Sequence, residues 1–372
     1  MKKVVIDGKN LARYSGGIAE YIKPLLLAWI KSRPEISFLV AAPFFDYSEF
    51  VKLPNCEFFQ IPWPDFLPRF MRHPIYDNIL FPCAINKLKP CFIFSPYHDL
   101  RLPNNIPFVM MIHDTCIGEL KGVYPYKIRA YYDYMLRSNI PKSKRIITVS
   151  ESSKTSIVNL YKISPDLISI VPNSLPESFR TKFKNDSNLA KEIKNNQAGQ
   201  LRLFYSGGSD YRKNIRRLIL ALETLVLMGI DAHLWVTGVF NDGWLQASSG
   251  MKNSTISRIH FLGYLSHEEL RIQYLATDVV VYPSLGEGFG RVCLESMVLG
   301  VPLACSDLPV FREVADSYAD YFNPYDIKEM ASVILASSRK LTKEPKNDSR
   351  FEEIAATQKF VDIINVELND VL

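Results

Sequence analysis

The sequence predicts an α/β protein with two Rossmann-like doubly wound domains that face each other across a cleft. Short apolar runs without polar alternation recur along the chain, as in parallel strands buried on both faces. Amphipathic helical patterns separate these runs. This pattern occurs once before and once after the proline-bounded segment 172–176, and 372 residues are enough for two ordinary domains.

The first half opens with a predicted strand over 3–7. Apolar residues at three- and four-residue spacing then predict a helix over 18–31. The other predicted elements of this half are strands at 37–42, 91–95, 108–112, 145–149 and 168–171, and helices at 126–138 and 152–161.

The second half repeats the alternation. Its helices are predicted over 214–227, after the capping box Ser266-His267-Glu268-Glu269, and from a glycine-rich loop to Leu299. Two polar stretches, 184–200 and 337–350, contain few apolar residues, and we expect 184–200 to be a surface loop. The predicted strands of this half lie at 203–205, 233–236, 259–262, 279–282 and 301–305.

We expect a first domain over 1–173 and a second over 174–354, with 355–372 available to pack back onto the first. The segment 172–176 contains two prolines and is a plausible hinge. Sheets joined in this way are expected to direct the carboxyl ends of their strands toward the cleft, where such folds bind ligands.

Composition excludes several classes of protein. Hydrophobic residues make up 47% of the chain, which argues against disorder, and no apolar run approaches the length of a membrane span. Asp7 interrupts the N-terminal apolar segment, so no secretion signal is expected. The six cysteines show no CxxC spacing, so we expect reduced thiols and a cytoplasmic location.

The charge is distributed unevenly. Residues 1–176 contain 22 Lys and Arg against 14 Asp and Glu, whereas 177–372 contain 22 against 25. Basic and aromatic residues concentrate at 62–76 and 121–145. This combination predicts interfacial contact with an anionic membrane or acceptor, although an ordinary solvated face would give the same pattern.

The most informative segment is 282–295. It places Glu287 in a glycine-rich loop with Gly286, Gly288 and Gly290, between a strand and a helix. Such a loop brings the backbone close to a ligand, and the helix start suits a phosphate. Glu295 lies eight positions later, where a carboxylate can accept hydrogen bonds from sugar hydroxyls. The combination predicts a nucleotide-sugar site.

A second segment predicts a phosphate-binding cation. Lys213 begins a helix after a loop containing Gly207 and Gly208, where it can offset the charge of a diphosphate. Arg212 either assists Lys213 or makes a structural pair.

The first half offers a smaller set of candidates. Gly16 and Gly17 precede a helix after the first strand, which suits a backbone contact to phosphate or acceptor. His113 and Asp114 follow the strand 108–112, and His98 follows the strand 91–95. His233 and His260 lie within predicted strands and are expected to be structural. No histidine pair has zinc-ligand spacing.

The segment 282–295 and the following Leu299-Gly300-Val301-Pro302 resemble the family-four retaining glycosyltransferases of GT-B fold. The resemblance covers roughly residues 1–335, and its motifs are specific together rather than singly. The other matching motifs, in chain order, are Ser15-Gly16-Gly17-Ile18, His113-Asp114, 148–153, 171–174, Tyr205-Ser206-Gly207-Gly208 with Arg212-Lys213-Asn214, Phe261-Leu262-Gly263-Tyr264-Leu265, and 277–284.

The resemblance implies a donor nucleotide sugar on the second domain and an acceptor on the first. It implies catalytic roles for His113, Lys213 and Glu287, and places His98 and Asp114 on the acceptor side. The donor-binding residues that it implies are Gly16, Gly17, Gly207, Gly208, Arg212, Lys213, Tyr264, Leu265, Glu287, Gly288, Phe289, Gly290 and Glu295.

The chain departs from the family at one point. Many members carry an arginine directly after the first glycine of the phosphate motif, where this chain has Gly208 or Ser209. Arg212 is one candidate substitute. The form Gly-Gly-x-x-x-Arg-Lys-Asn resembles mannosyl- and rhamnosyltransferases of bacterial surface polysaccharide synthesis, and these imply a saccharide or polyprenyl-linked acceptor.

The sequence contains no Asp-x-Asp pair, so no metal and no cofactor are expected. The alternatives are another GT-B sugar-nucleotide enzyme such as an epimerase, or a non-catalytic sugar-nucleotide-binding protein. An epimerase is expected to carry its own acid/base carboxylates, and a binding module to lack Lys213 or a glutamate. No nucleic-acid recognition motif is found.

Overall fold

The computed structural model describes residues 2–9, 11, 17–44, 48–180, 184–340 and 344–372. Two compact units divide the chain. The first contains Met1–Glu119, Pro125–Ser174 and Arg350–Leu372, and the second contains Leu120–Tyr124 and Leu175–Ser349. Residues 120–124, inside the predicted first domain, therefore group with the second unit.

Each unit is built on one parallel sheet. The first sheet has seven strands in the order β3-β2-β1-β4-β5-β6-β7, and the second has six in the order β10-β9-β8-β11-β12-β13. The strands are β1 (Lys3–Asp7), β2 (Ser37–Ala42), β3 (Cys56–Gln60), β4 (Phe92–Ser95), β5 (Phe108–Met111), β6 (Arg145–Thr148), β7 (Ile168–Ile170), β8 (Leu201–Tyr205), β9 (Ala232–Val236), β10 (Ile259–Phe261), β11 (Val279–Tyr282), β12 (Leu303–Ser306) and β13 (Asp320–Phe322).

Helices follow most strands. They are α1 (Gly17–Ser32), α2 (Ser48–Val51), α3 (Arg69–Ile75), α4 (Phe81–Leu88), α5 (Cys116–Glu119), α6 (Tyr126–Asn139), α7 (Glu151–Tyr161), α8 (Glu177–Arg180), α9 (Lys184–Asn196), α10 (Ile215–Leu227), α11 (Asp242–Ser248), α12 (Asn253–Ile256), α13 (His267–Leu275), α14 (Arg291–Leu299), α15 (Pro309–Ala315), α16 (Ile327–Ser338) and α17 (Glu353–Asn369). Across the described residues, no helix is both long and apolar enough to span a bilayer.

The predicted fold class of two doubly wound parallel sheets is confirmed. In each sheet the strand order reverses once, between β1 and β4 in the first unit and between β8 and β11 in the second. A ligand site in such a sheet lies outside the carboxyl ends of the strands at this reversal. The fold thus indicates one candidate position in each unit.

The last helix, α17, packs against α1 of the first unit. The Trp29 ring meets Phe360 edge to face, with the centroids 6.3 Å apart. The Trp29 indole donates to Asn365 Oδ1 at 3.1 Å, so this buried N–H has a partner. Arg145 also pairs with Glu367 of α17 at 2.7 Å, and Lys144 pairs with Asp370, directly after this helix, at 3.6 Å. These two basic residues belong to the stretch 121–145, and both form salt bridges within the first unit.

One prediction about local structure was wrong, and two strands were not predicted. The stretch 184–200 is largely the helix α9, because buried Asp186 pairs with buried Arg271 of α13 at 2.9 Å. Few apolar residues mark its contact face, so the sequence pattern is weak. The strands β3 and β13 were also missed, since both lie at sheet edges and are only partly buried.

A buried charge network lies at the carboxyl end of β1. The Lys9 ammonium contacts Asp77 at 2.5 Å and Asp99 at 2.9 Å, and the side chains of Lys9 and Asp77 are each 3% exposed. Asp7 accepts from the Lys9 backbone N–H and from Ser95. Burial raises the pKa of Asp7 and of Asp77 to about 7. One cation therefore faces three carboxyl groups.

Replacing Lys9 with methionine should destabilise the first unit by about 3–5 kcal/mol, because the variant leaves buried carboxylates without their cation. Urea unfolding measures the loss. The exposed Lys3→Met is the matched control and should change stability by less than about 0.5 kcal/mol. Adding Asp77→Asn to Lys9→Met should recover part of the loss, and an unchanged midpoint in Lys9→Met would contradict the role of this network.

Candidate active site

The candidate site lies at the carboxyl edge of the second sheet. The loop after β8 leads through a short 3₁₀ turn, Tyr211–Lys213, into α10. The loop after β11 contains Glu287 and leads into α14. Since β8 and β11 are neighbours at the strand-order reversal, their loops meet there.

The structure brings Arg212, Lys213 and Glu287 together, as the sequence predicts. The Lys213 ammonium donates to Glu287 Oε1 at 2.6 Å. The Arg212 guanidinium contacts the other carboxylate oxygen of Glu287 and donates to the Gly286 carbonyl at 3.0 Å. The Glu287 side chain is 7% exposed, so the pairing is shielded from solvent. Two cations share this buried carboxylate, and the carboxylate of Asp210 lies 3.7 Å from the Arg212 guanidinium.

Tyr282 and Ser284 complete this cluster, and the sequence analysis gave neither a role. Glu287 Oε1 accepts from the Tyr282 hydroxyl at 2.9 Å and from Ser284 Oγ at 2.7 Å. The Lys213 ammonium also donates to the Tyr282 oxygen at 3.1 Å. Both residues lie within the segment 282–295, so a signal existed, but their contact with Lys213 and Glu287 required the fold.

The charges around Glu287 control its ionisation. Burial by itself would raise the pKa of Glu287, but Arg212 and Lys213 outweigh burial and lower it to about 2. Glu287 is therefore a carboxylate at neutral pH. It acts as an acceptor and has no proton to donate.

The β8 loop needs its first glycine for steric reasons. A Cβ on Gly207 would lie 2.7 Å from the Tyr205 hydroxyl. That hydroxyl in turn donates to the Gly208 carbonyl at 2.8 Å, which fixes the loop over the end of β8. A Cβ on Gly208 would meet nothing within 4 Å, so Gly208 faces open space.

The two loops are also bound to each other. The Leu285 N–H donates to the Arg212 carbonyl at 2.7 Å. Asn214, which adopts a left-handed conformation with φ of 58°, donates from its side chain to the carbonyls of Pro283 and Pro324. These hydrogen bonds hold Arg212, Lys213 and Glu287 in a fixed arrangement.

α14 begins at a position that requires glycine. Gly290 is its N-cap, with φ of 93°, and a Cβ there would lie 2.8 Å from Phe311. Phe289 and Gly288 are buried beside it. The backbone N–H groups of the first turn of α14 therefore lie next to the Glu287 loop, where they suit an anion.

Glu295 is buried rather than open to solvent. Its carboxylate pairs with Arg291 at 3.0 Å, one helical turn earlier, and accepts from the Tyr274 hydroxyl at 2.5 Å. Tyr274, from α13, was not identified from the sequence. Its hydroxyl and Arg291 orient the carboxylate of Glu295.

Tyr264 and Leu265 follow β10 at the same sheet edge. Gly238 and Gly263 bind each other through two backbone hydrogen bonds of 2.7 and 3.1 Å, which join the ends of β9 and β10. Tyr264 is 85% exposed, and Leu265 is partly buried. The exposed ring is available for stacking.

In the first unit, His113 follows β5 and is buried. Its Nε2 lies 2.9 Å from the Pro96 carbonyl and donates to it. The His113 carbonyl accepts from Ser153 Oγ at 3.2 Å. Burial lowers the pKa of His113 to about 4. The imidazole is therefore neutral at pH 7, with Nδ1 as its acceptor atom.

The remaining predicted residues of the first unit have structural contacts. Asp114 Oδ1 accepts from the Cys116 N–H at 3.0 Å at the start of α5. His98 packs edge-on against Tyr132, and burial lowers its pKa. Its buried Nδ1 has no hydrogen-bond partner among the residues that the structure describes. Gly17 is the first residue of α1, whereas Ser15 and Gly16 lie outside the described residues.

His233 and His260 lie in β9 and β10, as predicted, and contact each other rather than the candidate site. His233 Nδ1 is 2.9 Å from His260 Nε2, and Trp235 stacks on His260. In the part of the chain that the structure describes, no group of three or more His, Cys, Asp or Glu side chains is arranged to hold a metal ion.

Two family models match the chain in succession. The Glycosyltransferase Family 4 model matches residues 16–178, and the model for glycosyl transferases group 1 matches residues 186–358. Together they cover most of the described residues and include every predicted site residue.

Two curated relatives match over part of their length. The O-antigen chain mannosyltransferase RfbU of Salmonella typhimurium is 27% identical over 62% of this chain and 60% of its own length. The O-antigen chain mannosyltransferase B of Escherichia coli is 30% identical over 65% of this chain and 64% of its own. The alignments thus span less than two thirds of either relative.

Among solved structures, Anabaena HepE in complex with UDP and glucose has a TM-score of 0.71 at 17% identity, over 98% of this chain and 99% of that chain. This likeness concerns the fold. With both family models matched in order, and the cluster of Arg212, Lys213 and Glu287 in place, the chain belongs to the family 4 glycosyltransferases of GT-B fold.

Proposed function

We propose that this protein is a retaining hexosyltransferase of bacterial surface polysaccharide synthesis, as in O-antigen or capsule. It would transfer a hexose, with mannose or rhamnose favoured, from a nucleotide-diphosphate sugar to a saccharide or polyprenyl-linked saccharide. The observation that carries the proposal is the pairing of Lys213 and Arg212 on buried Glu287, at the start of α14. The O-antigen mannosyltransferases among the relatives support the class of product and the choice of sugar.

The donor diphosphate is proposed to bind Lys213, Arg212 and the first N–H groups of α14. Lys213 and Arg212 supply two positive charges, and a helix start adds further attraction for an anion. Once the diphosphate engages the cations, the Glu287 carboxylate becomes available to sugar hydroxyls. HepE, the similar structure with UDP and glucose, supports a nucleotide sugar as donor.

The nucleoside is proposed to lie across the ends of β9 and β10. The exposed ring of Tyr264 offers a surface on which the base can stack. Glu295, oriented by Tyr274 and Arg291, is the proposed acceptor for the ribose hydroxyls. Such contacts are made equally in the ground and transition states, so they contribute to KM.

Transfer is proposed to occur on one face of the sugar. The bond from C1 to the diphosphate oxygen breaks, and the acceptor oxygen bonds to C1 from the same side. The acceptor hydroxyl gives its proton to the leaving diphosphate, so no protein nucleophile is needed. Lys213 and Arg212 stabilise the charge that builds on the diphosphate, which a divalent ion would otherwise do. We therefore propose transfer without a metal cofactor.

The acceptor is proposed to bind the first unit, with His113, His98 and Asp114 on its side. Neutral His113 can accept from a hydroxyl through Nδ1. A lipid-linked acceptor would bring the protein, as a cytoplasmic enzyme, to an anionic membrane surface. Exposed aromatic residues around α3 support this placement, since Phe66 and Phe70 are 86% and 80% exposed beside the exposed Arg69.

Incubation with GDP-mannose, dTDP-rhamnose and other nucleotide sugars, plus a polyprenyl-linked saccharide, tests the proposal directly. We expect one donor to be consumed, in EDTA as well as without it, and NMR of the anomeric proton to show the donor's configuration retained. An inverted linkage would exclude the one-face mechanism. A strict requirement for Mg²⁺ or Mn²⁺ would exclude metal independence.

Lys213→Ala should lower kcat by roughly 10²–10³, the usual effect of removing one donor that stabilises developing charge. The lost ammonium group acts on the diphosphate as its charge grows, so the loss should exceed any change in donor KM. Lys252→Ala is the matched control, since Lys252 is exposed and pairs with Glu223. Steady-state kinetics at saturating acceptor measure both, and near-normal kcat in Lys213→Ala would remove the basis of the proposal.

Replacing both Phe66 and Phe70 with serine should reduce binding to vesicles that contain anionic lipid, because the variant removes the exposed apolar groups that would enter the interface. Liposome flotation at low and high salt measures binding, and salt should weaken it. Phe240→Ser, at a half-exposed position of the second unit, is the control. Failure of the unmodified protein to bind anionic vesicles at low salt would reject membrane association.

A further inference from the structure

Residues 120–124, here called the strap, belong to the second unit although Glu119 and Pro125 on either side belong to the first. The strap forms a defined turn. The Val123 N–H donates to the Leu120 carbonyl at 3.1 Å, and Gly122 has φ of 88°, a conformation that favours glycine. The chain therefore leaves the first unit for five residues in an ordered conformation.

Tyr124 binds the strap to the phosphate-motif turn. Its hydroxyl donates to Asp210 Oδ1 at 2.5 Å, and its ring packs edge-on against Tyr211 with the centroids 6.1 Å apart. The Tyr124 side chain is buried. Because its acceptor is a carboxylate, this hydrogen bond belongs to the stronger class, and the Asp210 side chain itself is 46% exposed.

The acceptor of this bond controls the position of the cations. Asp210 is the N-cap of the turn Tyr211–Lys213, and its Oδ1 also accepts from the Arg212 N–H at 3.1 Å. The Arg212 guanidinium lies 3.7 Å from the same oxygen. One carboxylate oxygen thus receives the Tyr124 hydroxyl and fixes the turn that presents Arg212 and Lys213 to Glu287.

We propose that Tyr124 is a positioning residue for the donor-phosphate cations. It acts through Asp210, which it holds as cap of the Tyr211–Lys213 turn. Without the Tyr124 hydroxyl, Asp210 can rotate away, and Arg212 and Lys213 lose the fixed geometry that a diphosphate requires. The proposal rests on the proposed function, because it assigns the strap to the same donor site.

Calorimetric titration with UDP and GDP tests the role of Tyr124. Tyr124→Phe removes only the hydroxyl and should weaken the nucleotide that binds by about tenfold, as expected for one bond to a charged group. Asp210→Ala removes the acceptor itself and should weaken it by at least as much. Combining the two substitutions should weaken it by no more than Asp210→Ala alone, because Tyr124 acts on the turn through Asp210. Tyr134→Phe, at an exposed tyrosine of α6, should bind as the unmodified protein does.

Kinetics distinguish positioning from a general loss of structure. In Tyr124→Phe kcat should fall and donor KM should rise, because the cations that Tyr124 positions bind the diphosphate and stabilise its growing charge, and the melting temperature without nucleotide should stay within a few degrees. Equal nucleotide affinity in Tyr124→Phe and the unmodified protein would overturn the proposal, as would strictly additive effects of Tyr124→Phe and Asp210→Ala. If the unmodified protein binds neither UDP nor GDP, nor dTDP in the same titration, the donor site itself is wrong, and that outcome is distinct from a failure of the strap alone.

Discussion

The candidate site depends on one buried carboxylate. Arg212 and Lys213 are adjacent in the chain, and their charges would repel each other without a shared anion. Glu287 supplies that anion from a different loop and draws both cations to the junction of β8 and β11. Backbone and side-chain hydrogen bonds from Leu285 and Asn214 then hold the two loops together. The ion cluster and the loop geometry therefore support each other.

In both units charged side chains cluster at the carboxyl edge of the sheet. Carboxyl groups surround a lysine in the first unit, whereas cations surround a carboxylate in the second. In the first unit one lysine, Lys9, faces Asp7, Asp77 and Asp99, and burial brings the pKa values of Asp7 and Asp77 to about 7. In the second unit two cations face Glu287. Burial favours neutral forms in the first case, whereas cation pairing keeps Glu287 ionised in the second.

Tyrosine hydroxyls fix much of the second unit's site. Tyr205 holds the glycine loop, Tyr282 bridges Lys213 and Glu287, Tyr274 orients Glu295, and Tyr124 binds Asp210. Each hydroxyl is attached to a rigid, largely buried ring. Little side-chain conformational entropy is therefore lost when the hydroxyl forms its hydrogen bond. These hydroxyl donors therefore hold the side chains around the ion pairs in place and keep Arg212 and Lys213 positioned for a ligand.

The sequence by itself determined the fold class, the family and the central cluster. Strand, glycine loop and helix follow one another locally, so the positions of Lys213, Glu287 and Gly290 could be predicted from spacing. Contacts between residues that are far apart in the chain could not be predicted from the sequence. α9 depends on the pairing of Asp186 with Arg271, and the edge strands β3 and β13 lack a clear burial pattern.

Only the tertiary structure decided which side chains meet. Lys9 contacts Asp77, which is 68 positions away in the chain, and Tyr124 donates to Asp210, which is 86 positions away. Neither separation has a period that a sequence pattern can reveal. Such pairs form because packing brings distant segments together and excludes water, and burial then makes each polar group require a partner.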